Sequence, residues 1–134
     1  MRRVLIVEDD PTWSMLIGRY VGQLGWEFEV VRSPQEALDV LDEAEVDVIV
    51  LDLLLAVETG VALLNEIQAY DDLSDIPILV LTNTPDVALS DVSSYGVKCL
   101  LDKATATPDD IKFSLKELAD GRKCTTKGDC AEAN

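Results

Sequence analysis

The chain contains the apolar run Val48-Ile49-Val50-Leu51-Asp52-Leu53-Leu54-Leu55, which is interrupted by a single carboxylate. A short run rich in Val, Ile and Leu is typical of a central strand in a parallel sheet, because helices cover both faces of such a strand. Asp52 then lies where the strand leaves the core. Ligands of open α/β sheets bind at this end of the strands. The carboxylate is therefore either a cost that the fold tolerates or part of a site.

Short apolar segments and amphipathic segments alternate along the chain. We predict strands at residues 4–7, 28–31, 48–51, 78–81 and 97–101. Proline fits the first position of a helix, directly after a capping residue. This pattern starts four predicted helices, at Asp10-Pro11, Ser33-Pro34, Thr84-Pro85 and Thr107-Pro108. Glu36 completes a predicted capping box with Ser33. The alternation indicates an α/β fold, a parallel sheet with helices on both faces.

Apolar residues spaced three and four apart mark the buried face of each predicted helix. In chain order these residues are Trp13, Leu16, Ile17, Tyr20, Val21 and Leu24; Ala37, Leu38 and Leu41; Leu63, Leu64, Ile67 and Tyr70; Ala88, Leu89 and Val92; and Ile111, Leu115 and Leu118. The stripe that contains Ala88 is the thinnest, so we expect that helix to pack least firmly.

Length and charge limit the classes of protein to consider. The 134 residues fit one domain, predicted over residues 1–121, followed by a flexible polar tail over 122–134. With 26 acidic and 11 basic residues the net charge is -15, which argues against direct binding to nucleic acid or to an anionic membrane. The sequence has no long apolar run and no signal-peptide pattern. We expect a cytoplasmic protein.

The chain has three cysteines and no histidine. A structural zinc site is therefore not expected. Cys99 lies in an apolar segment and is predicted to be a small buried residue, while Cys124 and Cys130 are predicted to be free thiols in the tail. A phosphate relay that needs an imidazole would have to take it from a partner.

Polar side chains follow four of the predicted strands. Glu8 and Asp9 come after the first strand, Asp52 after the third, Thr82 after the fourth and Lys103 after the fifth. Parallel strands bring these side chains to one edge of the sheet, where the carboxylates would repel one another unless a cation is present. Mg²⁺ suits an open site of oxygen ligands. The lysine would neutralise a carboxylate at rest and pair with an incoming phosphoryl group.

These positions resemble the receiver domains of two-component response regulators, in particular stand-alone receivers like the chemotaxis regulators. The shared pattern comprises Val7-Glu8-Asp9-Asp10-Pro11, Asp52 with Gly60 eight positions later, Ile78-Leu79-Val80-Leu81-Thr82, and Lys103. The resemblance covers residues 2 to 121. It implies a flavodoxin-like fold, (βα)5, with a five-stranded parallel sheet in the order 2-1-3-4-5.

The resemblance also implies a function. Asp52 would accept a phosphoryl group from a phosphohistidine on a sensor histidine kinase or histidine phosphotransfer protein. Asp9 and Asp52 would bind magnesium directly, Glu8 through water, and the Leu54 backbone carbonyl would complete the protein ligands. Thr82 and Lys103 would contact the phosphoryl group. The protein would be a monomer or a weak dimer. It would signal by contact with a downstream protein, and phosphorylation would bias that contact. Its only catalysis would be its own phosphorylation and dephosphorylation.

Four positions depart from the receiver pattern: Ala56 and Ala104 replace prolines, Leu100 replaces an aromatic residue, and Asn83 replaces a small residue. A cis bond before a residue other than proline costs about 2.5–4 kcal/mol. We therefore predict a trans bond and a rearranged loop at Lys103-Ala104. The departures leave a second hypothesis open, a degenerate receiver that acts as a phosphorylation-independent protein interaction module.

Overall fold

A computed structural model describes residues 2–52, 60–70, 73, 75–83, 93, 96–121 and 129–130. Its helices are α1 (Pro11–Gln23), α2 (Pro34–Glu43), α3 (Gly60–Gln68) and α4 (Pro108–Ala119). Its strands are β1 (Arg3–Val7), β2 (Glu27–Val31), β3 (Val48–Leu51), β4 (Ile78–Thr82), β5 (Val97–Asp102) and β6 (Asp129–Cys130). The helix predicted after Thr84-Pro85, the Leu54 carbonyl and Ala56 lie outside the described residues.

The strands form one sheet in the order β2-β1-β3-β4-β5-β6. The first five in chain order pair in parallel, which confirms the predicted sheet and its order 2-1-3-4-5. β6 was not predicted, and it pairs antiparallel with β5 and places Cys130 opposite Cys99. A strand of two residues is too short to show an alternating pattern in the sequence.

Each face of the sheet carries its own apolar core, because side chains alternate between the faces of a strand. On one face α2 and α3 cover residues of the central strands, among them Leu5 and Ile49. On the other face α1 and α4 cover their neighbours Val4 and Val48. Cys99 is fully buried in this second core, as predicted. None of the described helices is long and apolar enough to cross a membrane.

Three of the predicted helix starts have their caps in place. The Asp10 carboxylate accepts a hydrogen bond from the Thr12 amide at 2.9 Å, and the Ser33 hydroxyl accepts one from the Glu36 amide at 3.2 Å. The predicted capping box at Ser33 is wrong in one bond, since the Glu36 carboxylate accepts from the Arg32 amide, at 3.1 Å, instead of the Ser33 amide. A complete capping box is found at the start of α4.

Two large aromatic side chains, Tyr70 and Phe28, are exposed at the surface. Tyr70 was predicted to face inward, but α3 ends at Gln68 and Tyr70 is half exposed. Phe28 lies on the edge strand β2, where its ring packs over α1 so closely that a Cβ atom at Gly18 would lie 2.8 Å from it. The small residue at position 18 therefore allows α1 to approach the edge of the sheet.

We expect Thr107→Ala to lower the free energy of unfolding by about 1 kcal/mol. The Thr107 hydroxyl accepts from the Asp110 amide at 3.1 Å, and the substitution leaves that amide without its cap. Urea denaturation measures the difference. Thr105→Ala is the control, because Thr105 is an exposed threonine outside the helix. Equal losses in the two variants would contradict the assignment of the cap.

Candidate functional site

The strand order brings the acidic residues together. β1 and β3 are neighbours with Val7 opposite Leu51, so the residues that follow them leave the sheet side by side. The Asp52 amide donates to the Val7 carbonyl at 3.1 Å, which extends this pairing beyond the strand. Carboxylate oxygens of Glu8, Asp9 and Asp52 lie within 4.8 Å of one another. We call these three residues the acidic cluster.

Lys103 directly follows the C-terminal end of β5, and its side chain reaches the acidic cluster. Its amide donates to the Thr82 carbonyl at 3.0 Å, which fixes the backbone at the end of β4. Its ammonium donates to Glu8 Oε1 at 2.6 Å and to Asp52 Oδ2 at 3.1 Å. The side chains of Lys103 and Glu8 are only 3% and 2% exposed. The ammonium is therefore a buried cation that bridges two carboxylates.

Burial and charge shift the pKa values of this pair. Burial raises the pKa of Glu8, although hydrogen bonds from Lys103 and from the Asp10 amide oppose that rise. Burial alone would lower the pKa of Lys103, but the hydrogen bonds to Glu8 and Asp52 and the charges of both outweigh it, so the pKa is raised. Lys103 therefore stays charged at neutral pH.

The acidic cluster has the composition of a site for a hard divalent cation. Three carboxylates and one ammonium leave two negative charges uncompensated when all are ionised (three minus one). All three side chains offer oxygen atoms, which are the ligands that Mg²⁺ prefers. The donor set and its charge fit a magnesium ion.

Two further residues lie at this end of the parallel strands. Thr82 is 2% exposed at the end of β4, at the strand end where the sequence places it. Trp13, in the first turn of α1, places its ring centroid 5.1 Å from the Lys103 ammonium. Trp13 was predicted to lie on the buried stripe of α1, and its contact with Lys103 was not predicted. The only sequence feature that indicates this contact is the position of Trp13 in the first helical turn after Glu8-Asp9.

The loop after Lys103 forms a compact turn. The Asp102 carboxylate accepts from the Ala104 amide at 2.8 Å, and the Asp102 carbonyl accepts from the amides of Thr105 and Ala106 at 3.1 and 2.8 Å. The described residues contain no cis peptide bond, which confirms the trans bond predicted at Lys103-Ala104. Leu100 is 4% exposed and belongs to the core beneath α2 and α3, and Asn83 is exposed.

Comparisons with known proteins agree with this geometry. The family model of the response regulator receiver domain matches residues 4–115. The transcriptional regulatory protein MalR of Bacillus subtilis is 36% identical over 89 residues, which are 65% of this chain and 38% of MalR. The transcriptional regulatory protein TrcR of Mycobacterium tuberculosis is 35% identical over 116 residues, 87% of this chain and 42% of TrcR. The chain thus spans about two fifths of the length of these relatives.

Solved structures give the same result. The response regulator TrrA of Thermotoga maritima, determined in complex with Mg²⁺-BeF, superposes with a TM-score of 0.77 at 26% identity, over 88% of this chain and 99% of TrrA. The family match covers most of the chain. The chain belongs to the response regulator receiver domain family of two-component systems.

Proposed function

We propose that this receiver accepts a phosphoryl group on Asp52 from a phosphohistidine of a sensor histidine kinase or histidine phosphotransfer protein. The observation that supports the proposal is the placement of Asp52, whose carboxylate lies in the acidic cluster and accepts a hydrogen bond from the Lys103 ammonium. The receiver then signals by contact with a downstream protein whose affinity depends on phosphorylation. We expect it to act in the cytoplasm as a monomer or weak dimer, without direct contact to nucleic acid or membrane.

The transfer forms one bond and breaks another. An Asp52 oxygen attacks phosphorus, the P–O bond forms, and the P–N bond to the partner's imidazole breaks. The chain contains no histidine, so the donor brings the leaving group. Phosphoryl transfer needs charge stabilisation and alignment more than acid–base chemistry. We expect the Lys103 ammonium and the Thr82 hydroxyl to stabilise the phosphoryl oxygens.

Asp9 and Asp52 would hold magnesium directly and Glu8 through water, and the Leu54 backbone carbonyl would complete the protein ligands. When bound, the ion supplies positive charge that offsets the negative charge of the phosphoryl oxygens and of the acidic cluster. The Mg²⁺-BeF complex of TrrA supports this assignment. Lys103 alone leaves the cluster with excess negative charge, which would otherwise repel a phosphate.

Intact mass spectrometry tests the proposed function. The wild-type chain is incubated with acetyl phosphate and magnesium, in parallel with a sample that contains a chelator. We expect a gain of one phosphoryl group that requires magnesium. If no adduct forms even at short times and low temperature, the proposal fails, and the alternative of a phosphorylation-independent interaction module takes its place.

Asp9→Asn should weaken magnesium binding while Asp10→Asn should not. Asp9 belongs to the acidic cluster, whereas Asp10 is exposed and caps α1, a role that asparagine fills equally well. A magnesium concentration ten times the dissociation constant stabilises the folded wild-type chain by about 1.4 kcal/mol. Thermal unfolding during a magnesium titration measures this gain. Equal gains in the two variants would contradict the assignment of Asp9 as a ligand.

A further inference from the structure

The Lys103 ammonium has neighbours on two sides. Glu8 Oε1 and Asp52 Oδ2 accept its hydrogen bonds at 2.6 and 3.1 Å. The face of the Trp13 ring lies 5.1 Å from the same nitrogen, measured to the ring centroid. A tryptophan face attracts an ammonium group within about 6 Å, and the attraction is stronger where water is excluded. Lys103 is buried, so this contact belongs to the stronger kind.

We propose that Trp13 is a positioning residue for phosphoryl transfer, which acts by holding the Lys103 ammonium over the acidic cluster. This inference rests on the proposed function. A lysine side chain is a flexible stem with a compact charge, and the hydrogen bonds to Glu8 and Asp52 still permit movement of the ammonium between the two carboxylates. The ring restricts that movement. The ring is itself held in place, since Trp13 packs against the core beneath α1 and α4.

The contact gives Trp13 a second property. Phosphorylation adds a dianion at Asp52 that attracts the ammonium, and any movement of Lys103 changes the charge next to the indole. Trp13 therefore senses the state of the site.

The chain has two tryptophans, and Trp26 packs under Arg2, with the guanidinium 5.7 Å from its ring centroid. Trp26 directly precedes β2, at the opposite end of the parallel strands from the acidic cluster.

Two substitutions separate positioning from packing. Trp13→Phe keeps an aromatic face with a weaker attraction for a cation, and Trp13→Leu keeps only apolar volume. We expect the rate of phosphoryl incorporation from acetyl phosphate to fall in the order wild type, Phe variant, Leu variant, with the Leu variant about five-fold slower. Thermal unfolding of each variant establishes that the assay is run on folded protein.

Fluorescence provides a readout that needs no change at position 13. In Trp26→Phe, Trp13 is the only tryptophan, and we expect its emission to change when magnesium and beryllofluoride are added. The change should disappear when Lys103→Met is combined with Trp26→Phe. In Trp13→Phe, where only Trp26 remains, the emission should stay constant.

The outcomes distinguish this inference from the proposed function. If the wild-type chain takes up no phosphoryl group, the proposed function fails and the role of Trp13 fails with it. If the wild type is phosphorylated but the Leu variant reacts at the same rate and Trp13 emission does not respond, the proposed function stands and Trp13 is only a packing residue.

Discussion

Asp52→Asn will take up no phosphoryl group from acetyl phosphate and magnesium, whereas the wild-type chain will gain one. An amide lacks the nucleophilic oxygen anion of a carboxylate, so the acceptor is removed with almost no change in shape. The fold should survive, because the Lys103 ammonium keeps its hydrogen bond to Glu8 at 2.6 Å. The acidic cluster also loses one of three mutually repelling charges. We therefore expect the midpoint of thermal unfolding to stay the same or rise.

Asp42→Asn is the matched control for this substitution. Asp42 is an exposed residue of α2, and its loss changes the net charge by the same amount. This control should be phosphorylated like the wild type. A phosphoryl adduct on the Asp52→Asn chain, detected by intact mass, would show that another residue is the acceptor.

Lys103→Met will destabilise the chain more than any other single change at the site. The substitution keeps the apolar stem but leaves the Glu8 and Asp52 carboxylates buried without their cation, and breaking a buried ion pair in this way costs about 3 kcal/mol. We expect that loss in urea denaturation at about pH 8 with a chelator present. Lys98→Met is the control, because Lys98 lies on β5, the strand that Lys103 follows, but is exposed. Its effect should stay within about 0.5 kcal/mol.

The loss should shrink as the pH falls towards about 5. Burial already raises the pKa of Glu8, and the substitution removes the hydrogen bond from Lys103 that opposes the rise. The folded variant then binds a proton on Glu8 more tightly than the unfolded chain does, so acid stabilises it relative to neutral pH. In the wild type the pKa of Lys103 is itself raised, so its contribution is present at both pH values and is lost only in alkali. An equal loss at both pH values would contradict the account of the buried charges.

Much of the fold follows from local patterns. The strands are short, mostly apolar segments. Three of the described helices start with a capping residue followed by proline, and all three have their capping hydrogen bonds. The alternation of strands and helices predicts a parallel sheet, and parallel strands place Glu8, Asp52 and Lys103 at one edge. The order of the strands came from the resemblance to receiver domains, because periodicity shows which segments are strands but not which strands are neighbours.

The features that the sequence did not predict depend on contacts between distant parts of the chain. Trp13 lies in the first turn of α1 and Lys103 directly follows β5, and only the tertiary fold brings the ring to the ammonium. Likewise, β6 pairs with β5 at the edge of the sheet, and residues 129–130 themselves carry no strand pattern that would predict this pairing. Tyr70 continues a helical spacing, but α3 has ended before it. Sequence spacing alone does not show where a helix stops.

The most direct measurement is the location of the phosphoryl group. An acyl phosphate on an aspartate can be reduced with borohydride to the alcohol, which marks the acceptor permanently for tandem mass spectrometry of peptides. We predict that phosphorylation by acetyl phosphate and magnesium, followed by reduction, converts Asp52 to homoserine and leaves Glu8 and Asp9 unchanged. Conversion at another carboxylate, or none in a chain whose intact mass shows the adduct, would show that Asp52 is not the phosphoryl acceptor.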